Sequence, residues 1–175
     1  MRANARMSRL LSAVRADAEE ADVEETDAPE AFRAVAAEGW VVGRDGAQFL
    51  SALRAGYAGA GHGDGFRDVV RYEATVNGRG MMDHDLPLAG PKREALLVRR
   101  CLGYAYAALR TVPSSCAWPM FGYVSLSHGG VDDGALTANV TFCSRRADVL
   151  PYVGDVDAYG DEALLEIAAV DVVRR

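Results

Sequence analysis

The sequence predicts an α+β protein, with N-terminal helices and one long central helix packed on a curved antiparallel sheet of four or five strands. Three observations lead there. Apolar residues recur at helical spacing in the first third of the chain and again over residues 92–111. They alternate with period two in residues 67–76, 120–127 and 136–143. Short turn-forming segments join the alternating runs into hairpins.

Met7, Leu10, Leu11 and Val14 fall at i, i+3, i+4 and i+7 and define the first helix. Arg2, Arg6, Arg9 and Arg15 make it basic, and no acid precedes Asp17. An Arg-rich amphipathic start is also the pattern of an organelle transit peptide. Residues 17–30 then carry eight acids and no base, which fits a solvated helix end or linker better than an import signal. The chain therefore reads as one domain, 1–175. Residues 1–30 form a helix plus an acidic segment able to move against a core of residues 31–175.

Asp27 as N-cap and Pro29 in the first turn open a second helix, whose apolar face is Phe32, Val35, Ala36 and Trp40. A third helix, from about Gly46 to Ala58, carries Phe49, Leu50, Leu53 and Tyr57. The glycine-rich stretch 56–65 lacks the Gly-Lys-Ser/Thr of a phosphate loop and follows a helix, so it reads as a linker.

Residues 67–76 alternate as a half-buried strand, and Asn77-Gly78 is a strong hairpin signal. A two-residue turn would set Tyr72 against Asp83 on the apolar face. A three-residue turn, Asn77 to Arg79, sets Ala74 against Met82, Tyr72 against His84 and Glu73 against Asp83. The hydrophobic pattern selects the second register. Pro87 and Pro91 end this strand. The long helix follows with Leu96, Leu97, Cys101, Tyr104, Ala108 and Leu109, and Val112-Pro113 breaks it.

Strands at 120–127 and 136–143 match faces when Leu126 pairs with Leu136 and Val124 with Ala138, leaving a loop from Gly129 to Asp133. Residues 145–160 are irregular. The last segment, 164–173, could be capped as a helix by Asp161, but Ile167 and residues 170–173 favour a strand. This element order resembles the cone-shaped fold of the nuclear-transport-factor-2-like superfamily. The resemblance implies a sheet that curls around a pocket. No residue is carried over from it, but in this chain a pocket between the sheet and the long helix would be lined by Tyr72, His84 and Tyr104.

Composition bounds the function. With 19 basic and 25 acidic side chains the net charge is −6, which argues against non-specific nucleic-acid binding. No apolar run reaches the ~18 residues of a membrane span. Lys92 is the sole lysine, and abundant Arg, Ala, Gly and Val are the coding bias of a GC-rich genome. Cys101, Cys116 and Cys143 are odd in number and lack CxxC spacing, so spectator thiols in a reducing cytoplasm are expected.

Asp83-His84-Asp85 is the densest group of catalytic residue types, since histidine titrates near neutrality. In a strand its aspartates point away from it, leaving Tyr72 as partner. His84 and Tyr72 are thus the catalytic candidates, against the simpler reading of a half-buried, hydrogen-bonded histidine. A metal set from His62, His84, His128 and Asp132 or Asp133 matches no short motif, and no metal or cofactor is expected. Ser114, Ser115 and Cys116 lack a nucleophile context.

Trp118 and Phe121, in a proline-bounded corner, are of the type that serves both cores and binding hot spots. The first expectation is therefore a non-enzymatic protein that binds another protein, as an inhibitor, an immunity protein or a host-directed effector does. Trp118, Phe121, Glu19, Glu20, Glu24 and Glu25 would form its surface. The alternative is a small-molecule-binding or acid/base enzyme with a pocket around His84. A homo-oligomer joined through an exposed edge strand is a third.

Overall fold

A computed structural model describes residues 1–17, 23–59, 65–128 and 136–173. In chain order the elements are β1 (Arg2–Ala3), α1 (Ala5–Asp17), α2 (Glu30–Ala37), β2 (Trp40–Val42), β3 (Gln48–Leu50) and α3 (Ser51–Gly56). There follow α4 (Val69–Val76), β4 (Arg79–Gly80), α5 (Pro91–Arg110), β5 (Met120–His128), β6 (Leu136–Ser144), β7 (Ala163–Ala168) and α6 (Ala169–Val173). The fold is α+β, as expected. Five strands form an antiparallel sheet in the order β1-β7-β5-β6-β4, and β2 and β3 form a separate ribbon.

The long helix α5 begins where its sequence says it should, with proline in the first turn after Gly90. From Cys101 to Leu109 it is buried on every side. Gly103 makes that enclosure possible. A Cβ there would lie 2.7 Å from the Glu24 carbonyl oxygen and 2.9 Å from the Ala28 nitrogen, so the 24–28 turn could not close on the helix. The Tyr104 ring meets Phe32 edge-on at 4.9 Å and Phe142 at 5.5 Å. These three buried rings pack the middle of the long helix against the sheet.

β5 lies at the centre of the sheet. Its Met120, Val124 and Leu126, with Val140, Phe142, Leu165 and Ile167 from the neighbours, face α5 and the main core, to which α1 adds Met7 and Val14. The opposite face carries Tyr123, Cys143 and Leu164 under Val70 and Ala74 of α4 and under Val153 and Val156. Burial pushes the Cys101 and Cys143 thiols far above their usual range.

Four local expectations need correction. Residues 69–76 are a helix, so neither the hairpin at Asn77-Gly78 nor its Tyr72–His84 pairing exists. Asp68 caps the helix, its carboxylate accepting from the Arg71 N–H at 2.9 Å. The β5–β6 register is offset by two residues, with Leu126 opposite Ala138 and Val124 opposite Val140. A two-residue slip keeps the same side chains inward, so hydrophobic pattern alone does not separate the registers. The expected third helix is a strand, β3, followed by the short α3, and Trp40 belongs to β2. The last segment is a strand to Ala168 and a helix thereafter.

What α4 does explains why it is a helix. Glu73 and Asn77, one turn apart, are both fully buried. Asn77 accepts from the Leu50 N–H at 2.9 Å and donates to the carbonyls of Gln48 at 2.9 Å and Phe142 at 3.1 Å. Glu73 accepts from the N–H groups of Gln48 at 2.9 Å and Ser144 at 2.6 Å, and from the Ser144 hydroxyl at 2.7 Å. Two side chains thus replace a strand between β3 and β6. Gly78 allows the turn that follows, because a Cβ would stand 2.9 Å from the Ala74 carbonyl oxygen.

Asn77→Ala should strand three buried backbone groups and cost about 3 kcal/mol in urea unfolding, since each unmet group costs roughly 1–3 kcal/mol. Thr75→Ala, on the exposed side of the same helix, should stay within about 0.5 kcal/mol of the wild type.

Candidate partner-binding site

The residues expected to form a catalytic pair are not together. His84 is exposed in the turn before α5. Its neighbours Asp83 and Asp85 are held by α5: Arg93 pairs with Asp83, and Arg100 reaches Asp85 at 2.8 and 2.5 Å. The hydrogen bond from Arg100 holds the Asp85 carboxyl well below the usual carboxylate range. Arg93, almost fully buried, also donates to the carbonyls of Pro87 at 3.0 Å and Leu136 at 2.9 Å. The Asp-His-Asp triplet is thus a turn clamped at both aspartates. Tyr72 lies on α4 instead, stacked on Phe66 at 4.9 Å and edge-on to Phe49 at 5.0 Å. Tyr104 sits in the main core, where burial raises its phenol far above the usual range.

Among the described residues no three His, Cys, Asp or Glu side chains gather in a way that could hold a metal ion. His62, Asp132 and Asp133 lie outside the described residues. No described helix is long and apolar enough to cross a membrane.

Of the acidic segment, Glu19 and Glu20 also lie outside the described residues. Glu24 caps the 25–27 turn, Glu25 pairs with Arg110 at 2.6 Å, and Asp27 takes a bidentate bond from Arg99 at 2.9 and 3.0 Å. Glu25 and Asp27 fasten the turn to α5.

The Trp118 corner is organised differently. The chain enters β5 at Met120, and β6 runs beside it past Ser144, so Arg145 and Arg146 come to lie across from the corner. The Arg145 N–H bonds to the Pro119 carbonyl at 2.9 Å, which fixes that register. Phe121 and Arg145 then share one face as diagonal cross-strand neighbours, with the guanidinium 3.9 Å from the ring centroid. Arg146 covers Trp118 at 5.3 Å.

Both guanidinium groups are anchored from behind. Arg145 pairs with buried Glu166 at 2.5 Å, and Arg146 with Glu73 at 2.9 Å and the Gly46 carbonyl at 2.7 Å. Arg145, Arg146 and Arg2 line an open groove of about 720 Å³, whose other wall is Asp148 followed by the apolar Val149, Leu150, Pro151 and Val153. Leu150 is 65% exposed there. Because Glu166 and Glu73 already balance two of the arginines, the groove offers directed N–H donors and an apolar wall without a large positive field. That combination suits a backbone carbonyl or single carboxylate beside an apolar side chain.

Sequence reasoning found Trp118 and Phe121 but missed Arg145 and Arg146. Their signal lay in the pairing register, which sets Arg145, one residue past the end of β6, against Pro119, one residue before the start of β5. The chain matches no protein-family model, no curated protein and no solved structure.

His84→Ala should leave stability within about 0.5 kcal/mol of the wild type. Arg93→Met, which strips Asp83 and two carbonyls of their partner, should cost about 3 kcal/mol, both read by urea unfolding.

Proposed function

We propose that the protein is a non-catalytic binding protein, of the inhibitor, immunity-protein or effector kind, that receives a segment of another protein in the groove beside Trp118. One observation carries this reading: two arginines that line an open groove, each anchored by a buried glutamate and each lying over an aromatic side chain. Tryptophan and arginine held rigid in this way are the residue types that dominate binding energy at protein interfaces, because little side-chain freedom remains to be lost on association. A groove open to solvent along its length favours a chain segment over an enclosed small molecule. Glu24 and Glu25, engaged within the chain, are secondary to it.

Native mass spectrometry of the protein isolated from its source cells tests the proposal. The wild type should carry a stoichiometric protein companion. Leu150→Asp and Arg2→Glu should each lower its occupancy about tenfold, a loss of roughly 1.4 kcal/mol. Leu88→Asp, a change at an almost fully exposed leucine before α5, should not. A wild type that carries no companion, or a companion that survives Leu150→Asp, would contradict the groove.

A further inference from the structure

A second cleft, lined by different residues, has a different character. It opens between α1, the first turn of α5 and the neighbouring ends of β5, β6 and β7, and has a volume of about 390 Å³. Its floor is apolar, formed by Leu10, Leu126 and Ala163, and its rim carries Arg6 and Arg9 on one side and Glu94 on another. Arg6 donates to the backbone carbonyls of Gly160 and Asp161, and no described carboxylate neutralises it. Arg9, one turn along the same helix, makes no hydrogen bond or ion pair with a described residue. The arginine and glutamate charges at the rim therefore sum to +1.

We propose that this cleft binds a single-chain amphiphile with one carboxylate head, a free medium-chain fatty acid. The apolar floor removes the chain from water at ~25 cal/mol for each Å² buried. The rim offers a monoanion a guanidinium fork with no described partner to displace. The volume limits the chain, since about 390 Å³ holds roughly a dozen non-hydrogen atoms at ~30 Å³ each. A longer acyl chain would run beyond the apolar floor into solvent. The net rim charge favours a carboxylate over a phosphate dianion. This site stands independently of the protein-binding groove.

Sodium decanoate, titrated as monomer into the full chain by isothermal calorimetry, is the probe. Saturable binding with one site per chain is expected, and decylamine, of equal length and opposite charge, should bind about tenfold more weakly or less. Ala13 is exposed at the cleft mouth, and Ala13→Trp should close it. Arg9→Glu should remove the head contact without touching the core. Each variant should raise the decanoate Kd about tenfold or more while the circular dichroism spectrum and melting temperature of the free protein stay unchanged. Should the tryptophan variant fold poorly, the Arg9 variant alone decides. Unsaturable or absent decanoate binding, equal binding of decylamine, or wild-type affinity in Arg9→Glu overturns the proposal. So does retention on phosphatidylglycerol vesicles in the absence of decanoate binding, which would assign the rim to a lipid surface.

Discussion

Two polar side chains of one short helix hold the two sheets of this protein in register. β3 and β6 approach each other without pairing along their length, and both would leave backbone N–H and C=O groups unmet in the interior. Glu73 and Asn77 meet those groups from α4, accepting from Gln48, Leu50 and Ser144 and donating to the carbonyls of Gln48 and Phe142. A buried carboxylate is costly unless several donors and a cation surround it. Here Ser144 gives two donors, Gln48 one and Arg146 the charge. The network is fully used at Glu73, and losing any part of it leaves the remainder stranded.

The same network reaches the surface. Arg146 bonds to Glu73 on its inner side and covers Trp118 on its outer side, so the orientation of the groove's guanidinium is set by a helix on the far side of the strand. Glu166 plays the matching part for Arg145 over Phe121. The arginine wall of the groove is therefore an outer layer of the core, held in place by carboxylates that are almost wholly buried. This arrangement accounts for an acidic protein presenting arginines along an open groove.

Long periodic runs were legible in the sequence. α5 and the β5–β6 pair emerge from pattern alone because many residues vote for one period and the apolar face is unbroken. α4 was not, and the reason is specific. Its buried face has Glu73 and Asn77 at the centre, flanked by Val70 and Ala74 on one side and Val69, Tyr72 and Val76 on the other. Removing the polar pair from the apolar count leaves residues that alternate, which is the signature of a strand. The capping aspartate, Asp68, was the one local clue to the helix. Trp118 and Phe121 could be singled out as residue types, whereas their arginines required a pairing register. The hydrophobic pattern determined that register only to within two residues, which would have set Arg145 against Ala117 instead of Pro119.

Amide hydrogen exchange at Gln48, Leu50 and Ser144 tests the clamp most directly, because each of these N–H groups donates to a side chain at Glu73 or Asn77. If Glu73 and Asn77 bind the two sheets into one cooperative unit, these amides exchange only through global unfolding, at the same free energy as Val124 in the central strand. Exchange of Gln48 and Leu50 through a local opening, at a free energy well below that of Val124, would show that β3 detaches by itself and that the clamp does not hold the fold.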